Sequence, residues 1–231
     1  MSDNLHKGHR ERVRKEFLEK GFNEKTPPHK ILEMLLFYSI PRKDTNEIAH
    51  DLINKFGSLE AVLEAPYEQL IKVKGVSENT AVLIKLIIPI ASRYKCKNIS
   101  NDAVLQNSNQ LVEFLVAKYM GFTKETLAIT SLNAKGKVLG FDILSVGDAS
   151  SVELSVRRVI ETVIKRNPVC VVMSHNHPSG SAVPSADDVR LTSNICDTLS
   201  NINVRLLDHI IICDNDYVSM AQSAQFKHIF Q

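Results

Sequence analysis

A short run of wholly apolar residues constrains the fold more than any other feature of the sequence. Residues 169–173 read VCVVM, and their branched side chains favour extended backbone. A strand with no polar face must be covered on both sides, as in a layered α/β sheet. Other strand-like segments surround this run and alternate with amphipathic helical patterns at 155–167 and 185–202. We therefore predict a mixed α/β domain over residues 104–231.

The first hundred residues have a helical pattern instead. Apolar residues recur there at three- and four-residue spacing, and Pro41, Gly57 and Pro66 separate the helical segments. The polar stretch 96–108 has no clear periodicity, which is typical of a linker. The sequence therefore predicts a small all-α domain at 1–100, preceding the α/β domain.

Lys74, Gly75 and Val76 form a tight turn between two of these helical segments. The unit resembles a helix-hairpin-helix, in which a glycine-containing turn directs backbone N–H groups at a nucleic-acid phosphate. That motif has a second glycine where this chain has Ser77. Residues 1–100 carry 17 lysines and arginines against 13 acidic residues, which is consistent with weak, non-specific DNA binding. A solvated helical surface explains the same charge equally well.

The composition is ordinary for a soluble globular protein, with 44% hydrophobic and 23% charged residues. The first residues include no apolar segment of the kind that directs export, and the longest apolar run, near 82–90, is too short to cross a bilayer. The four cysteines are scattered and form no CxxC pair, which fits a reducing compartment. We expect a cytoplasmic protein without membrane association.

His175 and His177 follow the apolar strand directly. In extended chain, residues i and i+2 project to the same side, so both imidazoles can reach one ion. Ser185 is placed to cap the next helix, and Asp188 then lies in the first turn, where its carboxylate can turn back toward the strand end. Two imidazoles and one carboxylate leave a fourth tetrahedral position open, as in catalytic zinc sites. We predict that these two histidines and Asp188 bind Zn²⁺.

Other interpretations of this segment fit less well. A helix cap by itself explains Ser185 and Asp188, but it does not explain two histidines beside a buried strand. Zinc deaminases need a glutamate two residues after the histidine and a PCxxC motif, and neither is present. Pro178 interrupts the HxHxDH pattern of metallo-β-lactamases, and a barrel hydrolase would need far more chain after its early strand.

The spacing from His175 through His177 and Ser185 to Asp188 resembles the JAMM motif of MPN-type metalloproteases. The fuller text HNHPSG…PSADD, with LLDHIII downstream, is similar to the RadC family, whose N-terminal region carries a helix-hairpin-helix. The resemblance covers nearly the whole chain. It implies a mixed-sheet JAMM/MPN-like metallohydrolase domain behind a small helical domain, with Zn²⁺ bound at the three ligands.

The resemblance also implies roles for two residues that do not bind the metal. Glu125, just before the first strand, matches the motif glutamate, whose role is general base. Ser185 becomes the group that hydrogen-bonds the oxyanion or orients the water. Glu153 competes with Glu125 for the position of the base. Asp208 and His209, in the last predicted strand, are either partners of a ligand imidazole or a buried polar pair.

The leading functional hypothesis is a zinc hydrolase of the JAMM metalloprotease type, which cleaves an amide or isopeptide bond in a protein or peptide. The second hypothesis is a DNA-binding accessory protein associated with DNA repair, in which the metal is structural or vestigial. A metal-dependent nuclease is a third, although chemistry at two metal ions would need more carboxylates than Asp187 and Asp188 supply.

Overall fold

A computed structural model describes residues 8–41, 43–95, 104–147, 152–178, 180–213 and 216–230. The chain divides into two units, residues 1–91 and 92–231. Most of the predicted linker, at 96–103, lies outside the described residues. Within the described ranges, no helix combines the length and the apolar character that a bilayer crossing requires.

The first unit is helical, as predicted. Its helices are α1 (His9–Lys20), α2 (Pro28–Leu36), α3 (Asn46–Phe56), α4 (Leu59–Glu64), α5 (Tyr67–Leu70) and α6 (Glu78–Lys95), of which the last continues past residue 91. One apolar core holds them together, and its fully buried members include Leu32, Leu36, Leu52, Leu70 and Ile84. Burial of such side chains, at about 25 cal/mol per Å², is what stabilises short helices that have little intrinsic stability.

The predicted hairpin joins α5 and α6. Gly75 has φ 90°, a backbone conformation that favours glycine, and a Cβ on it would lie 2.7 Å from Ile48 Cδ1, so the Ile48 side chain would have to shift. Ser77, at the position of the missing second glycine, caps α6 through a bond from Thr80 N to its hydroxyl, 3.3 Å long. The substitution therefore stabilises the helix start with a side-chain oxygen.

The second unit is a five-stranded sheet with helices on both faces, which confirms the mixed α/β prediction. Its strands are β1 (Thr126–Leu132), β2 (Val138–Val146), β3 (Cys170–Asn176), β4 (Arg205–Cys213) and β5 (Asp216–Ser219). Their order across the sheet is β2-β1-β3-β4-β5, and the pair β3 and β4 is parallel while the other neighbours are antiparallel. The helices are α7 (Ser108–Tyr119), α8 (Val152–Arg166) and α9 (Ala186–Ser200).

Two apolar clusters explain why β3 lacks a polar face. Val171 and Met173 pack on the side that contains residues of α8 and α9, whereas Val172 packs on the side of α7. The strand is longer than the predicted VCVVM run, because it continues to Asn176 and includes His175. The antiparallel partner of His175 is Leu127 on β1, and its parallel neighbour is Ile211 on β4. β5 was not predicted.

Candidate metal centre

The two predicted histidine ligands meet at the C-terminal end of β3. His175 is 1% exposed and His177 lies just after the strand, and their Nε2 atoms are 2.8 Å apart. Both rings therefore project to the same side of the strand, as the i, i+2 spacing predicts. What the pair can do depends on which ring nitrogens carry protons, and the other hydrogen bonds of each ring decide that.

The loop that follows β3 sets the tautomer of His177. Its Nδ1 lies 2.7 Å from the carbonyl oxygen of Ser181. A carbonyl oxygen only accepts hydrogen bonds, so Nδ1 carries the proton and donates it. In the neutral ring, Nε2 is then left with a lone pair that points toward His175.

A buried chain of side chains sets the tautomer of His175. The Thr192 hydroxyl lies 2.5 Å from the carbonyl oxygen of Asp188, one turn earlier in α9, and donates to it. It therefore accepts from Nδ1 of His209, 2.7 Å away. Nε2 of His209 in turn accepts from Nδ1 of His175, also at 2.7 Å. His175 and His209 therefore both carry their proton on Nδ1. Nε2 of His175 is left with a free lone pair.

Burial keeps both rings of this chain neutral. It lowers the pKa of His175 to about 4; the Asp188 carboxylate opposes this shift and His177 adds to it. Burial also holds the pKa of His209 well below its usual value, because that ring is 0% exposed. Burial therefore favours a free lone pair on Nε2 of His175.

Asp188, the third predicted ligand, lies beside the two histidines. Its Oδ1 lies 3.3 Å from His175 Nε2, and its Oδ2 lies 3.8 Å from His177 Nε2. Ser185 holds Oδ2 with two donors, its backbone N at 2.7 Å and its hydroxyl at 2.6 Å, and the hydroxyl accepts from Asp188 N at 3.1 Å. The capping box and the predicted metal ligand thus share one carboxylate, because the cap holds Oδ2 while Oδ1 faces His175.

Glu125 lies close to the two histidines. Its carboxylate belongs to a set with His175 and His177 in which the potential ligand atoms all lie within 4.8 Å of one another. The residue is exposed, and its backbone carbonyl accepts from Gly147 N at 2.7 Å. A carboxylate at this distance reaches either the ion or a molecule bound beside it. Its competitor, Glu153, lies outside the residues whose side chains are described.

The site therefore brings nitrogen and oxygen atoms of two imidazoles and a carboxylate together. Two lone pairs 2.8 Å apart repel each other unless a cation lies between them, and a carboxylate oxygen adds negative charge beside them. Neutral imidazole nitrogens with one carboxylate are the donor set of transition-metal hydrolase sites. The residues present fit a divalent metal ion of this kind.

The comparison with known families identifies the family of the chain. A family model described as a RadC-like JAB domain matches residues 105–225. The chain belongs to the RadC family. The likeness to one relative extends over both units: a UPF0758 protein of Fusobacterium nucleatum subsp. nucleatum is 34% identical over 230 residues, which cover 96% of this chain and 98% of the relative. JAB domains belong to a superfamily that includes metallohydrolases, so the family supports the fold of the second unit.

The structure separates the two residues of the LLDHIII segment. His209 is the partner of a ligand imidazole, whereas Asp208 accepts from the Ser219 hydroxyl at 2.5 Å and from Ala221 N at 2.9 Å. Burial raises the pKa of the Asp208 carboxyl, and the bond from Ser219 opposes that shift. Adjacent strand residues face opposite sides of the sheet, so the two are not a polar pair.

Sequence reasoning missed two residues that support the site. Thr192 lies four residues after Asp188, a spacing that places it one turn along the same helix face and could have identified it. Asn176 lies between the two histidines and projects to the other side of β3. The i, i+2 pattern directs attention away from it, although it contacts the segment that carries Glu125.

Proposed function

We propose that this protein is a zinc-dependent hydrolase that cleaves an amide or isopeptide bond. The observation that carries the proposal is the pair of facing Nε2 atoms, 2.8 Å apart, beside the Asp188 carboxylate and within reach of Glu125. The hydrogen bonds of Nδ1 in each ring favour the neutral tautomer whose Nε2 lone pair points toward the other ring. Two buried acceptor atoms that face each other cost free energy, and a bound cation would remove that cost.

The donor set favours zinc over the other common divalent ions. Magnesium and calcium prefer all-oxygen sites, whereas two imidazoles with one carboxylate are the ligands of catalytic zinc in several peptidases. A zinc ion bound there would polarise the carbonyl of the scissile bond and lower the pKa of a water ligand toward about 7.

The residues of the chain would divide the remaining work between them. His175, His177 and Asp188 would hold the ion. The Asp188 oxygen that faces Ser185 is stabilised by two hydrogen bonds. Glu125 accepts a proton from the attacking water and passes it to the nitrogen of the leaving amine. Glu125 is exposed, so its carboxylate is accessible to a substrate. The Ser185 hydroxyl is the candidate donor to the oxyanion once its bond to Asp188 lengthens.

Glu125→Gln tests the proposal, because it removes the proton acceptor and keeps the shape. Zinc content and thermal stability should match the wild type, while hydrolysis of linear and isopeptide-linked fluorogenic peptides should fall by about 10²-fold or more. Glu113→Gln, on α7, is a control of the same chemistry. Zinc retention with unchanged hydrolysis by Glu125→Gln would show that Glu125 is not the base. A wild type that retains zinc and hydrolyses neither kind of peptide would instead indicate a structural metal, as in an accessory protein.

A further inference from the structure

The side chain of Asn176 connects the metal-binding strand to the segment that carries Glu125. The residue is 6% exposed and lies between His175 and His177 in sequence. Its Oδ1 accepts from Thr126 N at 2.8 Å, and its Nδ2 donates to the carbonyl oxygens of Phe122 and Lys124, both at 3.1 Å. Both ends of the amide are therefore bonded to backbone.

These three contacts lie on both sides of Glu125. Lys124 precedes it and Thr126 follows it, while residues 121–125 belong to no helix or strand. A segment without its own ladder of hydrogen bonds takes its position from side chains that bond to its backbone. In the described part of this segment, Asn176 makes three such bonds, and the bond from Gly147 N to the Glu125 carbonyl adds one more.

We propose that Asn176 is the positioning residue that fixes the Glu125 carboxylate relative to the metal ligands. The inference rests on the proposed function, in which Glu125 is the base. Asn176 shares a peptide unit with each histidine, so one residue determines where the ligands and the base stand relative to each other. A base displaced by about 1 Å loses much of its effect, and this linkage prevents such a displacement.

The chemistry of the amide explains why asparagine occupies this position. The contacts require one acceptor and two donors on a short side chain, a set that asparagine supplies and aspartate does not. Asn176→Asp keeps an acceptor for Thr126 N but places carboxylate oxygen against two carbonyl oxygens. Asn176→Ala removes all three bonds. Asn133→Ala is the matched control, because Asn133 is likewise an asparagine bonded to backbone: its Oδ1 accepts from the N–H groups of Lys135 and Lys137, at the other end of β1.

Two measurements on the full-length protein test the inference. Amide hydrogen exchange of the metal-free protein follows Thr126 N, whose acceptor is the Asn176 side chain. Visible absorption of the Co²⁺-loaded protein follows the environment of the ion. We expect Asn176→Ala to speed exchange at Thr126 by about tenfold, the effect of one lost hydrogen bond. We also expect it to shift the Co²⁺ bands as Glu125→Gln does, with no further shift in the double variant.

The outcomes separate this inference from the proposed function. Unchanged exchange at Thr126 in Asn176→Ala overturns the linkage, as does an unchanged Co²⁺ spectrum where Glu125→Gln alters it. Asn176→Asp should keep the slow exchange at Thr126 and still shift the spectrum, which guards against a general loss of folding. If the wild type binds no Co²⁺, the metal proposal fails, and the exchange result alone still decides whether Asn176 holds the segment. Asn133→Ala should change neither reading.

Discussion

Each of the two units buries a cluster of polar side chains. The clusters differ in whether each buried acceptor atom faces a hydrogen-bond donor. In the first unit, Glu33 is 2% exposed, and its carboxylate oxygens contact His9 Nε2 at 2.9 Å and Asn46 Nδ2 at 3.3 Å. In the second unit, His175 is 1% exposed, and its Nε2 faces the Nε2 of His177 at 2.8 Å. One cluster pairs acceptors with donors, and the other brings acceptors together.

This difference separates a structural cluster from a binding site. A buried polar group costs free energy unless it is paired, so a cluster with all its partners needs nothing further. Glu33 has them within its own unit, where it joins α1, α2 and α3. The histidine cluster is complete only on its inner side, through His209 and Thr192. On its outer side, the two facing Nε2 atoms and the Asp188 carboxylate form the metal site that we propose.

Apart from loss of the ligands themselves, the largest expected effect comes from the inner side of the histidine cluster. His209→Ala removes the acceptor that fixes the His175 tautomer, and zinc affinity should fall by about 10- to 100-fold, measured by competition with a chelator. His209→Gln, whose side-chain oxygen can accept the same bond, should recover part of the loss. Asp208→Asn is the neighbouring control and should leave the affinity unchanged. Equal losses of zinc affinity in the two variants would mean that the hydrogen bond from His175 to His209 has no special role.

The structural cluster should respond in the opposite way. Glu33→Ala removes the shared partner of His9 and Asn46, and the free energy of unfolding should decrease by about 1–3 kcal/mol, measured by urea denaturation. Zinc affinity should stay the same. A zinc affinity that follows Glu33 would contradict the division into two kinds of cluster.

A comparison of two helix caps sharpens the same distinction. Ser185→Ala and Ser58→Ala each remove a cap hydroxyl that bonds to a backbone N–H at 3.1 Å, so each should cost about 1 kcal/mol of stability. Only Ser185 also donates to the ligand Asp188, so Ser185→Ala alone should weaken zinc binding. Equal zinc affinity in the two variants would show that the cap does not orient the carboxylate.

The smallest expected effect concerns the hairpin of the first unit. If residues 1–100 bind DNA, Lys74→Glu should weaken the binding of full-length protein to a duplex of arbitrary sequence, and added salt should weaken the wild type steeply. Lys135→Glu, an exposed lysine in the turn between β1 and β2, is the charge-matched control. Equal losses in both variants, or binding that persists at high salt, would count against the hairpin.

The sequence predicted the parts of the site that a local pattern encodes. The apolar run located β3, the i, i+2 spacing located the histidine pair, and Ser185 marked the start of α9. The partners of His175 were harder to identify, because His209 lies 34 residues away on a neighbouring strand and meets it only through the parallel pairing of β3 and β4. Asn176 carries no pattern of its own, and only the fold shows that it contacts the backbone around Glu125.

The zinc content of the purified protein tests the central claim most directly. Elemental analysis of the wild type, loaded with zinc and then dialysed, should give about one zinc ion per chain. Under the same treatment, His177→Ala and Asp188→Ala should give close to none, while Glu125→Gln should match the wild type. If His177→Ala retains as much zinc as the wild type, the metal is bound elsewhere and the account of this site is wrong.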